Sequence, residues 1–163
     1  MANEPTPEPD LASTPEENLA ALGFALPHLP APAGNYLQLK RVGDVVHLAG
    51  VISTGPYGVI AGTAGAGSTV EDGYFAAQAC ALTHLAILRR EFGSLDRVAE
   101  VLCLTGYVCA APGFAELPAI VNGASDLLVQ VFGEAGRHVR ASVGVSALPR
   151  HALVEVQMTV RVR

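Results

Sequence analysis

Arg140 and Glu155, in the C-terminal stretch GRHVRASVGVSALPRHALVEVQ (136–157), are side chains whose types suit work on a small acid. Arginine presents a planar guanidinium that grips a carboxylate through two parallel hydrogen bonds. Glutamate, fifteen positions later, can accept a proton or hold a water. Extended patterning on either side of Leu148-Pro149-Arg150 predicts two strands joined as a hairpin there. That register sets Arg140 opposite position 157 and makes Glu155 a near neighbour across the ladder. On these residues alone two readings stay open. One is a carboxylate-handling site; the other is a cross-strand ion pair worth at most about 1 kcal/mol when exposed.

The elements that must position these residues are legible along the chain. Residues 1–12 are rich in Pro, Glu and small residues and predict a flexible tail, followed by one domain over 13–163. Thr14-Pro15-Glu16-Glu17 has the form of a capping box with proline at the first helical position, and Gly23 supplies the stop. After a Pro-rich connector, Pro27 to Pro32, the segments YLQLK and VVHLAGVI flank Gly43-Asp44 and predict a hairpin. Residues 53–68 read as a loop. Thr69 to Asp72 offers a second capping signal, and Tyr74, Ala77, Ala81, Leu85, Leu88 and Phe92 fall on one helical stripe that Gly93 ends. A buried strand is expected over 97–110. A second long helix is expected over 114–132, with Pro118 in or near its first turn and Leu117, Val121, Ala124, Leu128 and Val131 on its apolar stripe. The resulting fold class is an α+β sandwich, a mainly antiparallel sheet with two long helices on one face. Its other face is left bare.

Composition bears on that bare face. Half of the 163 residues are apolar and 15% are charged, against a usual charged share of roughly 25%. A subunit interface is the natural home for the excess, so a homo-oligomer is expected. No apolar run approaches the roughly 20 residues of a membrane span, and MANEPTPEPD lacks a leader pattern, so a cytoplasmic protein is expected. A net charge of −5 disfavours nucleic acid as a partner. The common devices GxxxxGK[ST], HExxH and GxSxG are absent. Gly62, Gly65 and Gly67 do not fit a dinucleotide fingerprint. Cys80, Cys103 and Cys109 have no metal-ligand spacing and read as free buried thiols. His47 and His84, in apolar segments, read as hydrogen-bonded core or interface residues.

The pattern R-x-S-V-x-V-x-x-L-P from Arg140 to Pro149, followed by V-E-V around Glu155, resembles the signature of the Rid family, the reactive intermediate deaminases also called the YjgF family. Further likenesses lie in Gly34-Asn35-Tyr36, Val42-Gly43-Asp44 and Ala49-Gly50, and in Phe114 through Asn122, which resembles the family's F-x-x-x-N helix. The resemblance spans about residues 34–163. It implies a chorismate-mutase-like fold, a homotrimer with a central barrel, and ligand pockets between subunits. It also implies hydrolysis of enamines and 2-imino acids to 2-oxo acids and ammonia, with no metal or organic cofactor.

Carried over by position, the resemblance makes Arg140 the carboxylate clamp and Glu155 the group that holds the attacking water. It places Tyr36, Asn122, Ser142 and Gly50 in the substrate-binding set, with Tyr36 reaching in from a neighbouring subunit. Two departures stand out. Ala49 occupies a position where many active members have serine, and Ser142 replaces a frequent cysteine. Together with the N-terminal helix, the segment from Asn122 to Leu128 resembles a distinct branch. The alternative to a deaminase is a non-catalytic trimer that binds a small carboxylate metabolite. An endoribonuclease, a label some members carry, fits the acidic chain poorly.

Overall fold

Two capping boxes set the starts of two helices in the computed structural model, which describes residues 13–29, 31 and 34–163. Residues 1–12, where a tail is expected, lie outside the described residues, as do 30, 32 and 33 of the connector region. Thr14 and Glu17 exchange hydrogen bonds at the head of α1 (Pro15–Ala21). Thr69 and Asp72 do the same at the head of α2 (Val70–Phe92), which Gly93 ends at φ 80°. The third helix, α3 (Leu117–Phe132), begins three residues later than 114. Phe114 is held in a tight turn instead, its N–H donating to the Ala111 carbonyl.

The strands are β1 (Leu39–Val42), β2 (Val45–Ile52), β5 (Val98–Cys109), β6 (Val139–Val145) and β7 (Val154–Val162), in the spatial order β1-β2-β7-β5-β6. A separate small hairpin, β3 (Thr54–Gly55) and β4 (Gly58–Val59), sits in the stretch read as loop. Within the five-stranded sheet three pairings are antiparallel and one, β5 with β6, is parallel. The fold is thus a mainly antiparallel sheet covered on one face by α2 and α3. Val154, Val156, Met158 and Val160 of β7 point to the helices and are buried. So are the predicted stripe residues Ala77, Ala81, Leu85 and Leu88 of α2 and Val121, Ala124, Leu128 and Val131 of α3.

The expected hairpin between the last two strands does not form, and β5 lies between them. Leu104 of β5 faces Arg140, while Tyr107 of the same strand faces Glu155. The reason lies in the connections. The α3 crossover brings β6 back parallel to β5, on the sheet edge. Residues 146–153 then wrap over the end of β5, pinned by Cys109 N–H to the Leu153 carbonyl and Leu153 N–H to the Ile60 carbonyl, both at 2.9 Å. Arg150 and His151 turn this wrap at φ 56° and 59°, a left-handed conformation that side chains tolerate only where surroundings enforce it.

No described helix covers the other sheet face. Val139 and Val143 of β6 expose 72% and 40% of their surface there, large values for valine. Cys80 and Cys109 are buried as expected, but Cys103 is only half-buried, because it faces this open side beside Val139. His47 also lies on it, exposed, with Nδ1 3.3 Å from the Thr159 hydroxyl. His84 sits fully buried in α2 with Nε2 2.9 Å from the Val156 carbonyl. The N-terminal helix is docked through two of its polar side chains. Glu16 pairs with Arg89 and accepts from Leu95 N–H, and the Asn18 amide donates to Val131 O at 2.9 Å, capping the end of α3.

Candidate functional site

On the helix-covered side of β6, Arg140 reaches up to α3. Its Nη1 donates to Asn122 Oδ1 at 2.8 Å and to Ser125 Oγ at 3.0 Å, and its Nη2 to the Pro118 carbonyl at 3.3 Å. Pro118, Asn122 and Ser125 follow an i, i+4, i+7 spacing, so one face of one helix supplies all three acceptors. Every acceptor is neutral. No described carboxylate forms an ion pair with Arg140. Three of its five N–H donors are used, which leaves Nε–H and one Nη2–H, together with the whole positive charge, for an incoming anion. Ser142, two residues on, shares this side of the strand and lies opposite Gly106. Gly106 can hold no side chain, since Val121 of α3 fills the space a Cβ would need.

Glu155 is on the other side of the sheet. It lies opposite Tyr107 and Ile52, and its carboxylate rests over Gly50 where β2 bulges away from regular pairing with β7. A methyl group at Gly50 would overlap the Glu155 carboxylate, so glycine there is a condition of the carboxylate's position. No described group hydrogen-bonds or pairs with Glu155. Burial pushes its carboxyl above the ordinary value, the direction expected when desolvation acts without a compensating partner. Tyr36 stands just before β1 with half its surface exposed and its ring against Gly34.

Of the six residues singled out in the sequence, then, the fold brings Arg140 and Asn122 into contact and sets Ser142 beside them. It brings Glu155 and Gly50 into contact separately. These two groups lie on opposite faces of one sheet with β5 between them, so they do not meet within one chain. A cleft of about 160 Å³ lies at the far end of β6, among Thr63, Cys109, Ser146, Leu148 and His151, and none of the six residues lines it. Among the described residues no three His, Cys, Asp or Glu side chains gather as a metal site would require.

Two members of the arginine site escaped the sequence reading. Ser125 holds Arg140 directly, and His138 Nε2 lies 2.9 Å from the Ser125 hydroxyl. The spacing was available: Ser125 is three residues past Asn122 on a helix, and His138 is two before Arg140 beside a strand, so each shares a face with a residue already chosen.

A family model described as "YjgF/chorismate mutase-like, putative endoribonuclease" matches residues 16–161. Protein TCP17 of Trypanosoma cruzi is 43% identical over 145 residues, which covers 88% of this chain and 91% of that protein. A crystal structure from Shewanella oneidensis, described as a putative endoribonuclease, is 33% identical with a TM-score of 0.88, covering 92% of this chain and 100% of that one. The structure of Atu1372 from Agrobacterium tumefaciens, described as of unknown function, is 33% identical with a TM-score of 0.84 over 92% and 94% of the two chains. The matched span includes Arg140 and Glu155.

Proposed function

The chain belongs to the YjgF/chorismate mutase-like family, and from that premise we propose that it hydrolyses 2-imino acids to 2-oxo acids and ammonia. The observation that carries this reading is Arg140. A guanidinium held by three neutral acceptors, with two donors and its charge unspent, is preorganised for a carboxylate. An ion-paired arginine would not be.

In this reading the substrate carboxylate docks on Arg140 of one copy, near Ser142 and Asn122. A second copy supplies Glu155, with Gly50 beneath it, and Tyr36. The exposed valines of β6 and the uncovered sheet face favour a homotrimer in which such pairs of half-sites meet. Glu155 takes a proton from a water whose oxygen bonds to the imine carbon, the C=N electron pair moves to nitrogen, and the Glu155 carboxyl returns that proton to the nitrogen. The carbinolamine then collapses, forming C=O and releasing ammonia. Imines hydrolyse without assistance, so positioning the water and steadying developing charge is enough machinery.

A second reading, binding of a 2-oxo acid without turnover, draws on Ala49. It stands in the β2 bulge beside Gly50 with no hydroxyl to offer a reacting group. One assay separates the two. An amino-acid oxidase generates 2-imino acids, and semicarbazide traps whatever the protein has not hydrolysed. Wild type is expected to suppress the semicarbazone signal, and Arg140→Ala to lose at least about a hundredfold of that activity. Equal suppression by both proteins would remove the deaminase reading. A folded wild type that binds 2-oxobutyrate but suppresses nothing would favour the binder.

A further inference from the structure

We propose that His138 is a positioning residue for Arg140, acting through the Ser125 hydroxyl. The proposal deepens the carboxylate reading of Arg140 and rests on it. His138 Nδ1 lies 2.6 Å from the Gly136 carbonyl, which can only accept, so Nδ1 carries the ring hydrogen. In the Nδ1–H tautomer Nε2 is an acceptor, and the 2.9 Å contact to Ser125 is made with the serine's own hydrogen. With that hydrogen directed at the imidazole, the Ser125 oxygen meets Arg140 Nη1 with a lone pair at 3.0 Å.

A serine within a helix can turn its hydroxyl to the carbonyl four residues earlier. His138 offers Ser125 a different acceptor and so selects the direction that suits arginine. The anchor is rigid. Gly136 is buried so tightly on α3 that any side chain there would overlap the Leu128 carbonyl, so the carbonyl that orients His138 is fixed to the helix that holds the arginine. The relay runs from Gly136, packed on α3, through His138 and Ser125 to Arg140 on β6. Its effect is to keep both Nη1 hydrogens occupied, so that a carboxylate meets the remaining Nε and Nη2 donors.

The test uses the full-length folded protein and two readouts. Calorimetric titration with 2-oxobutyrate gives Kd, and nitrogen-15 NMR of the ligand-free protein gives the rotation rate of the Arg140 guanidinium. His138→Leu and Ser125→Ala are each expected to raise Kd about tenfold and to speed that rotation. Combined, they should do no more than either alone, and neither should change weak binding in an Arg140→Ala background. His138→Gln, whose amide oxygen can still accept from Ser125, should stay close to wild type.

Unchanged Kd and rotation in His138→Leu, or full additivity of the two substitutions, would overturn the proposal. Should His138→Leu not fold, Ser125→Ala and His138→Gln decide it by the same criteria. If wild type binds no 2-oxo acid, the carboxylate reading fails, and rotation in the ligand-free protein still decides whether His138 holds the arginine.

Discussion

Glu155 has no described partner, and its carboxyl is pushed above the usual range by burial over Gly50. A carboxylate in that state is a stronger base than one in water, and it is ionised only above its raised pKa. Imine hydrolysis that uses it should therefore fall off on the acid side at a pH higher than an ordinary glutamate would give. Glu155→Gln should lower kcat about a hundredfold, remove that acid limb and leave 2-oxobutyrate affinity near wild type. Affinity that fell along with kcat would mean that Glu155 contacts the ligand and does not serve water alone. Arg140 and Glu155 do not pair within one chain because they stand on opposite sides of the sheet.

At the scale of elements, the arginine site depends on how closely α3 lies on α2 and on the sheet. Gly123 makes the closest approach, for a Cβ there would run into the backbone carbonyl of Tyr74 on α2. Backbone cannot step aside as a side-chain tip can. Gly123→Ala should push the helices apart and cost about 3 kcal/mol, measured by denaturant titration. It should also weaken carboxylate binding, since Asn122 and Ser125 ride on the displaced helix. The β6–β7 connection is the other element on which the site turns. Its passage over the end of β5, with two left-handed residues, is what separates Arg140 from Glu155.

For the molecule as a whole, two properties follow from what the sheet covers and leaves uncovered. His84 is fully buried beneath the sheet, with Nδ1 lacking any described partner, and desolvation lowers its pKa from 6.5 to about 4. The unfolded chain then binds a proton that the folded chain refuses. Stability is full above pH about 6.5 and declines as pH falls toward about 4, by about 3 kcal/mol. Melting temperature followed across that window should show the loss in wild type and a flatter profile in His84→Gln. On the open face, Val143→Glu should shift the proposed trimer toward monomer in analytical ultracentrifugation and reduce the proposed deamination in step. A monomer with full activity would refute a shared pocket.

Much of this protein was legible from local chemistry. The Thr14 and Thr69 capping boxes, the Gly93 stop, the stripes of α2 and α3 and the Gly43-Asp44 hairpin depend on neighbours within a few positions, and local hydrogen bonding and periodicity decide such features. The types of Arg140 and Glu155, and the likeness of their surroundings to one family, were equally readable. Strand order was not. Pairing two extended segments across a short turn is the natural local choice, and only burial of the whole sheet against two helices placed β5 between β6 and β7. The face on which each candidate side chain stands follows from that order. So does the company Arg140 keeps, because Ser125 and His138 reach it through packing that no stretch of chain contains by itself.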